Sequence, residues 1–137
     1  GIGQYTEKLI PKSIKYLSLG KKIPLHNGGI PIRNWLHAQD TANAVMDIID
    51  KKVKNDIFNI CGGFEQTNLD TVSKVIILHK KDKDIQKYLD LSYSRQGQDV
   101  RYALNDSKLR LLGWKPKMVF DKELPQIVKY YNKNFIW

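Results

Sequence analysis

Four polar clusters in this chain carry side chains that could act on a ligand: Glu7-Lys8, Arg33-Asn34, Asn68, and Arg95 with Asp99. Each lies beside an apolar stretch that an ordered element would supply. Their common chemistry is anion binding. A guanidinium presents a planar fork of donors that matches two phosphate oxygens, and an ammonium adds a point charge. Two arginines, a lysine and an amide could therefore grip a diphosphate. By composition alone surface salt bridges and helix caps are the favoured reading of each cluster, including a pair between Arg33 and Asp40.

Other chemistries lack their residues. Gly1-Ile2-Gly3 has the opening spacing of a dinucleotide fingerprint, but position 6 is Thr and no strand precedes it, so a pyrophosphate has no helix N-terminus to sit on. Gly62-Gly63 reads as a tight strand-to-helix turn. His26, His37 and His79 fall in no metal-ligand spacing, and His79 ends a helix, where an imidazolium favours the dipole. Cys61, without a second cysteine to pair with, reads as a small buried hydrophobe and fits a reducing, cytoplasmic setting. No catalytic residue and no metal site is expected.

The elements that must position the four clusters follow from periodicity. Pro11 fits the first turn of a helix carrying Ile14, Leu17 and Leu19 and closed by Gly20. An extended piece over Ile23 to His26, a Gly28-Gly29 turn and a strand over Ile32 to His37 come next. Ala42, Val45, Met46 and Ile49 then form one apolar helix face. A short strand is expected from Ile57 to Cys61, and Thr67 or Asn68 caps a helix bearing Leu69, Val72 and Ile76. Strands near Leu89 to Tyr93 and at Tyr102 to Leu104 precede a short helix from Asp106 to Gly113. The last helix shows Phe120, Leu124, Ile127, Val128 and Tyr131 on one face, with Pro125 near its first turns.

This pattern is mixed α/β, and 137 residues suffice for one domain with a real core. With 42% hydrophobic and 27% charged residues it has an ordinary globular composition. The longest apolar run, Val75 to Leu78, has four residues, against the ~18 of a membrane span, so no membrane partner is expected. The net charge of +9 suits anionic partners. Its lysines are dispersed pairs, and they alternate with acids from Lys80 to Asp84. That is a solvated face rather than a nucleic-acid stripe. The chain opens without an initiator Met or an apolar leader and is expected to be a segment of something longer.

The order of segments carries a resemblance. It runs Glu7-Lys8-Leu9-Ile10-Pro11, Ile23-Pro24-Leu25, Ile32-Arg33-Asn34-Trp35-Leu36, Asp40 and Phe58-Asn59-Ile60. Asn68-Leu69-Asp70, Arg95-x-Gly97-x-Asp99, Arg101-Tyr102-Ala103 and Leu112-Gly113-Trp114-Lys115-Pro116 follow. Over essentially its whole length the chain resembles the C-terminal half of the dTDP-glucose 4,6-dehydratases, within the extended short-chain dehydrogenase/reductase family. The Gly-Trp-x-Pro ending is shared with related epimerases and decarboxylases.

The resemblance implies the small mixed α/β substrate-binding part of such an enzyme, its Rossmann N-terminal half missing. Residues 1–137 would be one sugar-nucleotide-binding domain, including a strand and a helix that join the Rossmann sheet. It implies that Glu7, Lys8 and Leu9 line the nucleotide site, that Pro24, Leu25 and His26 flank the base, and that Arg33 and Asn68 bind the diphosphate. Arg95 and Asp99 would close over the nucleotide, while Trp35, Trp114 and Tyr102 pack the core. His26 stands where the family has Tyr, Gln96 and Gln98 where it has Pro and His, and Thr6 where it has Pro; these bear on which nucleotide is preferred. The family enzyme is a homodimeric lyase of carbohydrate metabolism that uses NAD, a Tyr-x3-Lys pair and an Asp-Glu pair, and none of these sequence patterns occurs here. NAD is therefore expected on the full-length enzyme and not on this chain alone.

Three readings follow: part of a dehydratase active only with its N-terminal half, specific for dTDP- or UDP-glucose or shared with a related epimerase; a non-catalytic sugar-nucleotide-binding or structural remnant; and a basic nucleic-acid-associated domain, for which the chain shows no aromatic-and-basic stripe.

Overall fold

Helix-forming stripes build the main core of the computed structural model, which describes residues 1–134. The first helix, α1 (Leu9–Ser18), buries Ile10, Ile14 and Leu17 on one face and ends before Gly20, whose φ of +66° closes it. The third, α3 (Asn68–Lys80), starts at a capping box. The Thr67 hydroxyl accepts from Asp70 N–H at 3.0 Å, and the Asp70 carboxylate accepts from Thr67 N–H at 3.3 Å. It buries Val72, Val75 and Ile76. The last, α5 (Phe120–Lys133), buries Leu124, Ile127, Val128 and Tyr131, with Pro125 exposed in its second turn. These three helices pack against one another, because each has an apolar stripe that water disfavours.

Two short sheets border this core. Strand β1 (Ile23–Pro24) runs parallel to β4 (Leu89–Asp90), pairing Ile23 with Leu89 and Pro24 with Asp90; Ile23 and Leu89 are buried. Strand β2 (Ile32–Trp35) runs antiparallel to β3 (Phe64–Thr67), so that Ile32 faces Thr67 and Arg33 faces Gln66. Between β1 and β2 the chain makes a 3₁₀ turn at His26–Gly29. A second, smaller core joins Ala44 of α2 (Ala38–Asp50), Leu109 of α4 (Ser107–Leu111) and Trp114.

Asp40 links the two cores. It is 1% exposed, and its carboxylate accepts from the backbone N–H groups of Lys117 and Met118, both at 3.0 Å. The Trp114 indole N–H donates to its carbonyl at 3.2 Å. Asp40 is thus committed to the backbone ahead of α5 and is not the partner of Arg33.

Several sequence expectations are corrected. The stripe Ala42, Val45, Met46 and Ile49 faces solvent, and α2 turns Asp40, Ala44 and the half-buried Ile48 inward. Both stripes repeat with helical period, so periodicity could not choose between them. Leu19 lies beyond the end of α1 and is exposed. Residues 57–61 form no strand, because nothing among the described residues pairs with them, and Ile57 is 85% exposed. Residues 102–104 form no strand among the described residues; Tyr102 N–H donates to the Ile32 carbonyl at 3.4 Å as part of a single parallel bridge between Ile32 and Arg101. Tyr102 is 52% exposed and is no core residue, whereas Trp114 is buried and Trp35 packs edge-on against Phe120. Strand β3 was not expected. It follows Gly62-Gly63, which therefore leads into a strand and not a helix. A Cβ on Gly62 would lie 1.9 Å from the Trp35 carbonyl oxygen, so β2 runs against bare backbone there.

Replacing Asp40 with Ala should leave two backbone donors without a partner in a dry setting. We expect a loss of roughly 2–4 kcal/mol in urea unfolding, and about half that for Asp40→Asn, which keeps one acceptor oxygen. A change below about 0.5 kcal/mol, the scale of ordinary surface substitutions, would show that Asp40 does not join the cores.

Candidate functional site

Strand β2 places Arg33. One guanidinium nitrogen, Nη1, donates to the carbonyl of Ile32 at 2.7 Å and to that of Asp99 at 3.1 Å. The guanidinium lies over the Tyr102 ring, 4.2 Å from its centroid, a cation–π contact that holds the planar group without neutralising it. The next residue, Asn34, accepts from Gly62 N–H at 2.9 Å and ties β2 to the glycine turn.

A groove of about 400 Å³ opens beside this strand, between it and the start of the chain. Tyr5, Lys8, Leu9, Arg33, Asn34 and Trp35 line it, so Lys8 and Arg33 share one concavity. Glu7 stands next to Lys8 at the solvent, with 3.9 Å between the charged atoms, an exposed pair of little energetic weight.

The remaining sequence candidates lie outside the lining of this groove. Asn68 opens α3, and its backbone N–H donates to Pro31 at 3.0 Å, beside the Ile32–Thr67 pair. Pro24 closes β1, and the Leu25 side chain, 2% exposed, belongs to the main core and seats its neighbours. His26 meets Tyr93 edge-on at 5.9 Å, and its Nδ1 is buried without a hydrogen-bond partner among the described residues. Arg95 and Asp99 sit on an irregular exposed stretch following β4. Asp99 reaches Arg33 through its carbonyl rather than its carboxylate.

Sequence reasoning missed two contributors. Tyr102, assigned to packing, is the platform under Arg33. Asn27, overlooked in a turn, binds the stretch that carries Arg95. Tyr102 stood next to a basic residue in Arg101-Tyr102, but a stacked guanidinium has no sequence spacing that identifies it.

Two carboxylates fix the ends of β4. Ser92 donates to Asp90 from its hydroxyl at 2.6 Å and its N–H at 3.0 Å, which holds the Asp90 carboxyl below its ordinary range. Before the strand, the Lys87 ammonium, the Asp84 N–H and the Tyr88 hydroxyl lower Asp82 to about 2.

Among the described residues the glycine pairs do not stand in the setting of a dinucleotide fingerprint. A pyrophosphate needs a glycine-rich turn from a strand into a helix. Here Gly28-Gly29 lies within the 3₁₀ turn before β2, and Gly62-Gly63 leads into β3. Among the described residues no group of three or more His, Cys, Asp or Glu could hold a metal ion, and no helix is long and apolar enough to cross a membrane.

The small mixed α/β fold is that of the C-terminal part of an extended short-chain dehydrogenase/reductase, and comparison with known proteins is more specific. The family model for GDP-mannose 4,6 dehydratase matches residues 2–127, and the chain belongs to that family. The dTDP-glucose 4,6-dehydratase of Haemophilus influenzae is 37% identical over 96% of this chain and 41% of its own length. A crystal structure of the Bacillus anthracis dTDP-glucose 4,6-dehydratase in complex with NAD is 36% identical with a TM-score of 0.86, over 98% of this chain and 42% of that one. The Streptomyces venezuelae dTDP-glucose 4,6-dehydratase, solved with NAD and TYD bound, is 30% identical with a TM-score of 0.88, over 98% of this chain and 41% of that one. The chain thus spans about two fifths of these relatives and matches their C-terminal part.

The lowered carboxyl of Asp82 sets a pH dependence. A group whose folded value lies below its unfolded one stabilises the fold at pH above the ordinary carboxylate range, about 3.9. That contribution fades as pH falls through about 2. In urea melts, wild type should therefore exceed Asp82→Asn at pH 5.5, and the gap should shrink steadily as pH falls from about 4 through about 2. A constant gap across that window would contradict the assignment.

Proposed function

We propose that this chain is the nucleotide-sugar-binding portion of a 4,6-dehydratase that acts on dTDP-glucose. In that reading the whole protein oxidises the sugar at C4 with NAD, removes water across C5 and C6, and returns the hydride to C6. The observation that carries it is the state of Arg33. A guanidinium has five N–H donors, and the two on Nη1 are engaged with the carbonyls of Ile32 and Asp99. The Nη2 and Nε edge, the side-on fork for a phosphate, makes no hydrogen bond among the described residues. Arg33 lines the same groove as Lys8.

On this reading Arg33 takes the diphosphate bidentately, with the amide of Asn68 beside it and Lys8 as a point charge. Pro24, Leu25 and His26 flank the base, Glu7 and Leu9 complete the wall, and Arg95 and Asp99 close over the nucleotide. The redox cofactor and the proton-transfer groups belong to the part of the relatives that this chain does not span. Two features support docking onto that part. The stripe Ala42, Val45, Met46 and Ile49 is a helix face exposed among the described residues, and residues 57–61 pair with no strand among them. Together they would form the strand and helix that complete a Rossmann sheet, in a homodimeric, cytoplasmic lyase.

Two outcomes follow. The isolated chain, incubated with dTDP-glucose and NAD, should yield no 4-keto-6-deoxy sugar; turnover above background would mean that catalytic groups lie within these 137 residues. Arg33→Ala, in the protein assembled with its dinucleotide-binding half, should weaken dTDP binding roughly tenfold to a hundredfold by calorimetry, as befits one charge-assisted bidentate contact. Arg33→Lys should restore only part. A lowered melting temperature with unchanged affinity would make Arg33 a structural residue.

A further inference from the structure

The exposed stretch after β4 has almost nothing of its own to hold it. From Leu91 to Gly97 every residue is exposed, and none belongs to a helix or strand. From Tyr93 to Gln98, all its hydrogen bonds to the rest of the described protein go to one residue, Asn27. The Asn27 backbone N–H donates to the Tyr93 carbonyl at 2.9 Å. Its side-chain Oδ1 accepts from Arg95 N–H at 3.0 Å, and Nδ2 donates to the Arg95 carbonyl at 3.2 Å and to Gln98 Oε1 at 3.2 Å. The amide therefore acts as a one-residue strand, satisfying both backbone groups of Arg95.

Asn27 itself is held in the left-handed region, φ 51° and ψ 43°, which Asn tolerates better than other side chains with a Cβ. It sits in the turn that delivers the chain from β1 to β2. At the far end of the stretch, Asp99 is bonded to Arg33 and Val100 accepts from Ile32 N–H at 2.8 Å. Tyr93 adds only its edge contact with His26. Between these anchors, the Arg95 guanidinium makes no ion pair or hydrogen bond among the described residues. Its backbone is pinned while its charge is available.

We propose that Asn27 is a positioning residue: its side-chain amide clamps the backbone of Arg95 and so presents that guanidinium, with Asp99, toward the Arg33 groove. The clamp is a matter of local structure, and its value for nucleotide binding rests on the function proposed above. Asn27 touches no substrate in this scheme. It converts an otherwise unsupported loop into a fixed one, so that a ligand need not supply the cost of ordering it.

The test uses the whole protein that carries this chain. Asn27→Gly suits the positive φ, keeping the turn while removing the three side-chain bonds. Hydrogen exchange without ligand should show the Arg95 amide opening about tenfold faster or more, with the amides of α1 and α3 unchanged. Asn27→Asp should be intermediate, because a carboxylate still accepts from Arg95 N–H but repels its carbonyl. Titration with thymidine diphosphate should then show Asn27→Gly weakening binding about fivefold in the native background and less than about twofold in Arg95→Ala, the coupling expected of residues acting through one another. An unchanged Arg95 amide, or exchange that accelerates evenly through the chain, would overturn the clamp. Equal weakening in both backgrounds would overturn action through Arg95. If the unsubstituted protein bound no thymidine diphosphate, the nucleotide reading would fall, and the exchange of the Arg95 amide would still decide the clamp.

Discussion

Backbone hydrogen bonds occupy both edges of β2, and the arrangement of the site depends on that constraint. On one edge lies β3, in a register that sets Arg33 against Gln66 and Trp35 against Phe64. On the other, Ile32 takes the Val100 carbonyl and gives its own to Tyr102 N–H. A strand so held has no freedom to slip or roll, and a slip of one residue would send every side chain to the opposite face. Arg33 and Trp35 share a face by the period of two. With Trp35 against Phe120 and Gly62 against its carbonyl, the guanidinium two residues earlier is aimed by packing rather than by an acidic partner.

That mode of support explains the division of labour between the cores. The main core of α1, α3 and α5 is thick in aliphatic side chains and supplies Leu9 and Leu25 with rigid backing. The smaller one rests on three fully buried residues, and its attachment is polar. A buried carboxylate with two backbone donors is directional where apolar burial is not. Asp40 therefore defines the angle at which α2 leaves β2, and with it the orientation of the uncovered apolar stripe.

Local rules made much of this legible. The stripes of α1, α3 and α5 each have one apolar face, and Thr67 with Asp70 announces a helix start, so those elements follow from the residues themselves. Arg33 and Lys8 were legible as candidate anion binders because the chemistry belongs to the side chain. What stayed hidden depends on distant partners. The α2 helix has two apolar stripes, and Leu109 and Trp114, more than sixty positions away, select Ala44 over Val45. Residues 57–61 and 102–104 are rich in strand-forming side chains, yet a strand exists only where a neighbour pairs with it. Asn27 and Tyr102 act through contacts across more than sixty residues, for which no spacing exists to read.

The indoles draw an optical consequence from this packing. Trp35 lines the groove, and its N–H is buried with no hydrogen-bond acceptor among the described residues. Trp114 lies in the other core with its N–H bonded to the Asp40 carbonyl. An indole without a polar partner emits at shorter wavelength than one whose excited-state dipole is stabilised by a carbonyl. Two of the chain's three indoles thus lie in different dielectric surroundings, Trp35 beside the groove and Trp114 beside a carbonyl in the smaller core, so a ligand in the groove would change the emission of the first and leave that of the second.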